Sequence, residues 1–88
     1  MHYVYVLYSY KDNKLYIDST GDLKKRYRQH EHGLVKSTKE RRPLKLIYYE
    51  AFLLKRSSLK QERLYKTGQG RRILKKRLDE TINFIVKS

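Results

Sequence analysis

Tyr5, Tyr16, Arg26, His30 and Glu62 carry the side chains in this 88-residue sequence whose chemistry could serve catalysis. A carboxylate can hold a hard cation, a guanidinium presents a planar fork to an oxyanion, and phenol and imidazole groups accept or pass protons. Taken singly, none is distinctive. A strand tyrosine usually packs with its hydroxyl wet, and an arginine on a helix edge is usually solvated. A lone histidine is more often a hydrogen-bonded packing residue, and Glu62 could simply pair with Lys66 one helical turn on. Their spacing joins them. Tyr5 and Tyr16 are eleven positions apart, Arg26 follows ten later, and His30 stands one helical turn beyond it.

The composition says what such a group would act on. Lys and Arg number 22 against nine Asp and Glu, a formal charge of +13. Basic groups release condensed counterions when they meet phosphates, so a polyanion is the natural partner. A membrane surface fits less well. No basic amphipathic helix with a Trp/Phe/Leu face stands out, and no run approaches the roughly 20 apolar residues of a bilayer span. A hydrophobic share of 39% with nine tyrosines is too high for a disordered polybasic tail. The length suits one domain, residues 1–88, with a core over about 3–78 and a C-terminal tail over 79–88. The absence of cysteine excludes disulfides and thiolate metal sites and fits a reducing, cytoplasmic setting. The chain opens on an alternating tyrosine-rich segment rather than a charged start and apolar run, so no signal peptide is expected.

Periodicity then places these residues on elements. Tyr3 to Ser9 is rich in aromatic and β-branched residues and apolar on both faces, which predicts a central strand. Lys11 to Lys14 is a polar turn, and Leu15 to Ile17 is the second arm of a hairpin. Asp22 is a good N-cap and Gly33 a good helix stop. Between them Leu23, Arg26, Tyr27 and His30 share one helix face, which puts two polar residues on the stripe facing the protein body. Lys36 to Arg42 reads as a basic, mobile loop closed by Pro43, and Leu44 to Tyr49 as a third strand. Ser58 with Gln61 forms a capping signal for a second helix with an inward stripe of Leu59, Glu62, Tyr65 and Lys66. Gly68 and Gly70 are expected to break it. A third helix over about Arg71 to Leu78 presents Ile73, Leu74 and Leu78. The apolar tail, Ile82 to Val86, reads equally as a helix turn or a strand. The fold class is α+β: a small three-stranded antiparallel sheet flanked by helices, in the order β-β-α-β-α-α.

In that order these residues resemble the GIY-YIG nucleases, and most closely the family's short stand-alone branch. The first signature tyrosine matches Tyr5 within Tyr3-Val4-Tyr5, and the second matches Tyr16 within Tyr16-Ile17-Asp18. The arginine followed by histidine four residues on matches Arg26 and His30. Pro43 to Glu50 looks like the family's third strand. The helix Leu59 to Lys66 resembles the one bearing its metal-binding glutamate, which falls on Glu62. The resemblance runs from about Tyr3 to Leu78. Tyr3 and Asp18 stand where the two signature glycines would be.

The resemblance implies a metal-dependent endonuclease that hydrolyses phosphodiester bonds in DNA, duplex or branched, with RNA as an alternative partner and no small-molecule cofactor. A role in DNA repair is one that such a nuclease would fit. Glu62 would hold Mg²⁺ (or Mn²⁺), Arg26 would meet the non-bridging oxygens, and Tyr5 would be the base that activates water. Tyr16 would position water or phosphate, and His30 would orient the phosphate or relay a proton. Lys24, Lys25, Lys39, Arg41, Arg42, Lys66, Arg71 and Arg72 are candidates for backbone contacts, which position a duplex without reading its sequence. No recognition helix of a known motif is evident, so weak or structure-directed specificity is expected. Asp18 could serve as a further metal ligand or could repel the scissile phosphate, and repulsion is the expectation, since aspartate lacks the backbone freedom of glycine. A nucleic-acid-binding module of the same fold, impaired in turnover by Asp18, is the alternative reading. A basic structural protein bound to RNA is a third.

Overall fold

A strand that is apolar on both faces must be covered on both, and this sets the architecture. The computed structural model describes residues 1–87. Strand β1 (His2–Ser9) lies between β2 (Leu15–Thr20) and β3 (Leu44–Phe52) in an antiparallel sheet of order β2-β1-β3. Helix α1 (Leu23–Glu31) joins β2 to β3, with a short 3-10 turn at Lys39–Arg41. Helices α2 (Lys55–Tyr65), α3 (Gly68–Arg77) and α4 (Asp79–Lys87) follow β3. The α+β reading and the central position of β1 therefore hold.

Strand alternation sends Val4, Val6 and Tyr8 to one face and Tyr5 and Leu7 to the other. The first set packs with Leu15, Ile17, Tyr65, Leu74, Leu78 and Ile85, so α2, α3 and α4 cover that face. The second set packs with Leu44, Tyr16, Leu23, Tyr27 and Leu46 beneath α1. A register shift between Val6 and Leu7 marks an irregularity in the pairing with β3. At the hairpin turn Asn13 adopts φ 58°, accepts a hydrogen bond from the Tyr8 hydroxyl, and leaves the Ser9 hydroxyl to accept from the Lys11 and Asp12 amides. The Asp22 carboxylate caps α1 by accepting from the Lys25 amide, and Gly33, at φ 73°, ends it as expected.

Five local expectations need correction. The segment from Lys36 to Arg42 is anchored to the body: Thr38 is buried, as is Val35 just before it, and Arg41 is paired with Asp12 at 2.6 Å. Helix α2 starts at Lys55, not Ser58, with Leu54 at the cap position. Ser58 is buried one turn inside, its hydroxyl donating to the Lys55 carbonyl, and the Gln61 amide is drawn away to Glu50 and the Tyr65 hydroxyl. The inward stripe accordingly runs through Ser58, Glu62 and Tyr65, while Leu59 and Lys66 are exposed. Gly68 and Gly70 form the first turn of α3, capped by the Thr67 hydroxyl, rather than a break before it. Ile73 is exposed, whereas Leu74 and Leu78 are buried. The tail resolves to helix: Ile85 enters the core, Phe84 and Val86 stay exposed, and Ser88 lies outside the described residues.

Gly70 is fixed by a close approach of backbone. A Cβ there would lie 1.8 Å from the Leu64 carbonyl oxygen, a contact no side-chain rotation relieves, whereas a Cβ on Gly68 meets only the tip of Arg72 at 3.8 Å. Gly70→Ala should therefore destabilise by about 2 kcal/mol or more, a fall of roughly 10 °C in Tm. Gly68→Ala should be neutral or mildly stabilising, since alanine is the better helix former. Thermal unfolding of the two variants checks this, and equal losses would show that the α2–α3 turn is not so tightly set.

Candidate active site

The edge strand β2 ends in alternating polar residues, and the site straddles that edge. Tyr16 and Asp18 pair with Leu7 and Tyr5 and so face α1, while Ser19 pairs with Val4 and faces α2. From the α1 side Arg26 places its guanidinium 3.8 Å from the Asp18 carboxylate, which also accepts from the Tyr16 hydroxyl at 2.9 Å. From the α2 side Glu62 accepts from the Ser19 hydroxyl at 2.5 Å and from Lys66 at 2.7 Å. The helix stripe that brings Arg26 inward and the stripe that brings Glu62 inward thus meet across one strand.

His30 lies behind this edge, fully buried. Its Nε2 shares a 2.7 Å hydrogen bond with the Tyr5 hydroxyl, and its Nδ1 shares another of 2.7 Å with the Thr38 hydroxyl. The rings of Tyr5 and Tyr16 both stand edge-on to the imidazole, with centroids 5.7 and 5.3 Å away. Burial, with the nearby Arg26 charge, lowers the His30 pKa to about 4, so the ring is neutral near pH 7. It is therefore an internal brace rather than a cation offered to phosphate.

The tyrosines differ in access. Tyr5 is fully buried, and burial pushes its hydroxyl well above the ordinary range, with the Arg26 guanidinium opposing and Asp18 reinforcing the rise. Tyr16 reaches the surface. Its hydroxyl is also raised, chiefly by burial, while the hydrogen bond from Ser37 opposes. Of the two tyrosines, one of which was expected to meet the attacking water, Tyr16 is the one with access to solvent. Burial alone would raise the Glu62 carboxyl, but hydrogen bonds from Lys66 and Ser19 outweigh it and the net shift is downward, so Glu62 is ionised near pH 7.

The donor set fits a hard cation held sparsely. Around Glu62 stand the Ser19 hydroxyl, the Asp18 carboxylate beside it and the Tyr16 phenol beyond, with the Lys66 ammonium as the one cation, 2.7 Å from the carboxylate, that a metal would have to displace. Among the described residues no group of three or more His, Asp or Glu could cage a metal. One carboxylate with water and substrate oxygens completing the shell is the arrangement Mg²⁺ favours.

The basic residues divide by position. Lys25 borders a shallow hollow beside Arg26, and Lys24 flanks the neighbouring hollow near Tyr3 and Tyr49. Arg41, Lys66 and Arg71 line a larger groove on the other side of Tyr16. Lys39 and Arg42 sit away from the Glu62 side, and the Arg42 guanidinium is hydrogen-bonded to the Lys39 and Glu31 carbonyls; Arg72 is exposed on α3. Three participants escaped the sequence reading: Ser19, Ser37 and Thr38. Ser19 was detectable, since strand alternation puts the residue after Asp18 on the Glu62 side. Ser37 and Thr38 belong to a segment with no periodicity and carried no signal.

Comparison with known proteins agrees with this layout. The GIY-YIG catalytic domain family model matches residues 1–78. A UPF0213 protein of Bacillus pumilus is 45% identical over 67 residues, covering 75% of this chain and 67% of that protein. A UPF0213 protein of Staphylococcus saprophyticus is 40% identical over 75 residues, 84% of this chain and 90% of that protein. A UPF0213 protein of Streptococcus pyogenes is 41% identical over 70 residues, 78% of this chain and 75% of that protein. No solved structure matches the chain. No helix among the described residues is long and apolar enough to cross a membrane. With a family match across most of the sheet and helices that carry Tyr5, Tyr16, Arg26, His30 and Glu62, the chain belongs to the GIY-YIG family.

Proposed function

We propose that this chain is a single GIY-YIG nuclease domain that hydrolyses phosphodiester bonds in DNA, with Glu62 holding Mg²⁺ or Mn²⁺. The observation that carries the reading is the meeting of Arg26, Tyr16 and Glu62 across the β2 edge of a strongly basic protein. When bound, the metal supplies Lewis acidity toward phosphoryl oxygens. The chain's own residues do the rest. Arg26 leaves the loosely held Asp18 carboxylate and presents its fork to the non-bridging oxygens as charge develops. Tyr16 orients water or the phosphate at the open side. The Tyr5–His30–Thr38 chain of hydrogen bonds holds the wall against which Tyr16 and Arg26 are set. Exposed lysines and arginines hold the sugar–phosphate backbone. A cytoplasmic setting and a role in DNA repair are in keeping with this activity.

A second reading rests on Asp18. Its carboxylate occupies the partners a phosphate would take, Arg26 and the Tyr16 hydroxyl, and its charge raises both tyrosines. In that reading the fold binds nucleic acid and cleaves slowly.

Three outcomes are expected. Glu62→Gln should abolish metal-dependent nicking of plasmid DNA while leaving duplex affinity within about twofold, because binding rests on lysine and arginine; full activity in that variant would sink the assignment. Duplex affinity should fall steeply with salt, at a slope near −0.9 per phosphate contacted. Five contacts give a loss of roughly 500-fold between 50 and 200 mM salt, and a flat titration would contradict a phosphate-tracking surface. Asp18→Gly should raise cleavage at least about tenfold. Two like charges about 5 Å apart at an effective dielectric near 20 repel by about 3 kcal/mol, and half of that reaching the transition state suffices. Slower cleavage by Asp18→Gly would place Asp18 among the working residues instead.

A further inference from the structure

Helix α1 covers the middle of β1 but leaves the neighbouring part of β3 open. Tyr5 is fully buried beneath it, while Tyr49, the β3 partner of Tyr5 on the same sheet face, is 54% exposed. Tyr3, two residues before Tyr5, belongs to that face as well and is the diagonal neighbour of Tyr49. The two rings stand edge-on with centroids 6.0 Å apart. They open onto a hollow of about 410 Å³ whose other apolar walls are Leu23 and Tyr27 of α1 and Leu46 of β3. None of these side chains is fully buried. The Tyr27 hydroxyl is tied to the Leu44 carbonyl at 3.3 Å, whereas no hydrogen bond among the described residues ties the hydroxyls of Tyr3 and Tyr49. The rim is basic. Lys24 borders the hollow, and Gly21 and Asp22 are shared with the adjoining one, which holds Lys25 and Arg26. The Asp22 carboxylate, the one acid in the lining, is engaged as the α1 cap, accepting from the Lys25 amide at 3.1 Å.

We propose that this hollow is a nucleobase site: one base of a bound strand stacks on the exposed Tyr49 ring against Tyr3, and its phosphate meets Lys24 and Lys25. The combination of surfaces selects the occupant. An aliphatic side chain would use the rings and leave the cations idle, and a bare sugar–phosphate would do the reverse. A nucleotide uses both. Stacking strengthens with ring area, so a purine is preferred to a pyrimidine. The shared Gly21 and Asp22 supply the direction, since a strand held here continues past Arg26 to the β2 edge. The inference rests on the nucleic-acid reading above and is independent of cleavage. The site responds to the presence and size of a base, not to the branching of the DNA.

Binding measured without metal tests it. The probes are three single strands of about ten nucleotides and equal charge: all adenine, all thymine, and abasic throughout. The native protein should bind the adenine strand about tenfold more tightly than the abasic one, as one or two stacked bases would give, with thymine between them. Tyr49→Ala should weaken the adenine strand at least about fivefold and leave the abasic strand unchanged, and Tyr49→Phe should keep native binding. Because Tyr49 is exposed, both variants should unfold at a near-native Tm. Tyr10→Ala removes a tyrosine that is also exposed, beside the hairpin turn, and should alter none of the three affinities. Equal affinity for adenine and abasic strands, an adenine advantage that survives Tyr49→Ala, or an equal loss in Tyr10→Ala would overturn the proposal. So would a dimer that Tyr49→Ala dissociates, since the face would then belong to a second copy. Failure of all three strands to bind would overturn the nucleic-acid reading and this site with it, whereas equal binding of all three overturns the base site alone.

Discussion

A neutral imidazole has one donor and one acceptor nitrogen, and His30 uses both inside the fold. One bond reaches Tyr5 on the central strand and the other reaches Thr38 in the segment leading to β3. A buried ring with either bond missing would leave an unsatisfied polar atom, at a cost of about 1–3 kcal/mol. The two bonds therefore fix the rotation of α1 over the sheet. Arg26, four residues earlier, lies on the same helix face and is turned toward β2 by the same rotation. The residue nearest in type to a catalytic acid or base thus stands inside the fold, bonded on both sides, beside the guanidinium and the tyrosine rings.

The second determinant is the position of β2 at the sheet edge. In a central strand, Asp18 and Ser19 would each be walled off on opposite faces. At an edge, the two faces meet around one strand, and α1 and α2 can each deliver a side chain to the same place. Edge strands carry unpaired backbone groups and invite unwanted pairing. Here the exposed edge is occupied by polar and charged side chains, which discourages strand addition and leaves the rim open to a charged ligand.

Much of this was legible in the sequence because it follows from periodicity. The apolar character of both faces of β1 pointed to its central position, and the helical stripe through Leu23, Arg26, Tyr27 and His30 put two polar residues inward. The Asp22 cap and the Gly33 stop were read correctly for the same local reasons. What failed was decided by distant partners. Ser58 and Gln61 have the spacing of a capping box. Glu50, held by Tyr48, Tyr65 and Arg77, takes the Gln61 amide that a capping box would need, and α2 starts at Lys55. The loop through Thr38 looked mobile because its anchors belong to other elements, Asp12 to the hairpin turn and His30 to α1. Within the site, the residue types were readable, but the difference in exposure between Tyr5 and Tyr16 was not, since both read as strand tyrosines.

The count of 22 lysines and arginines overstates the cations free to act, and the difference bears on how the site would work. Arg26, Arg41, Lys66 and Arg77 are each turned toward an internal carboxylate. Partly exposed pairs of this kind contribute little to stability, because solvent screens the attraction and side-chain freedom is lost in holding it. That weakness has a use at the β2 edge. The pairing of Arg26 with Asp18 spans 3.8 Å, and a phosphodiester, with the same single negative charge but two non-bridging oxygens that match the planar fork, offers the guanidinium a bidentate partner. Lys66 stands in the same relation to Glu62: its ammonium lies 2.7 Å from that carboxylate and also lines the groove, where it would turn if Glu62 took another partner. The internal pairs hold both cations in place before a ligand arrives and give them up at small cost, so arrival of phosphate and metal would reorganise charges already gathered at one edge rather than recruit them from solvent.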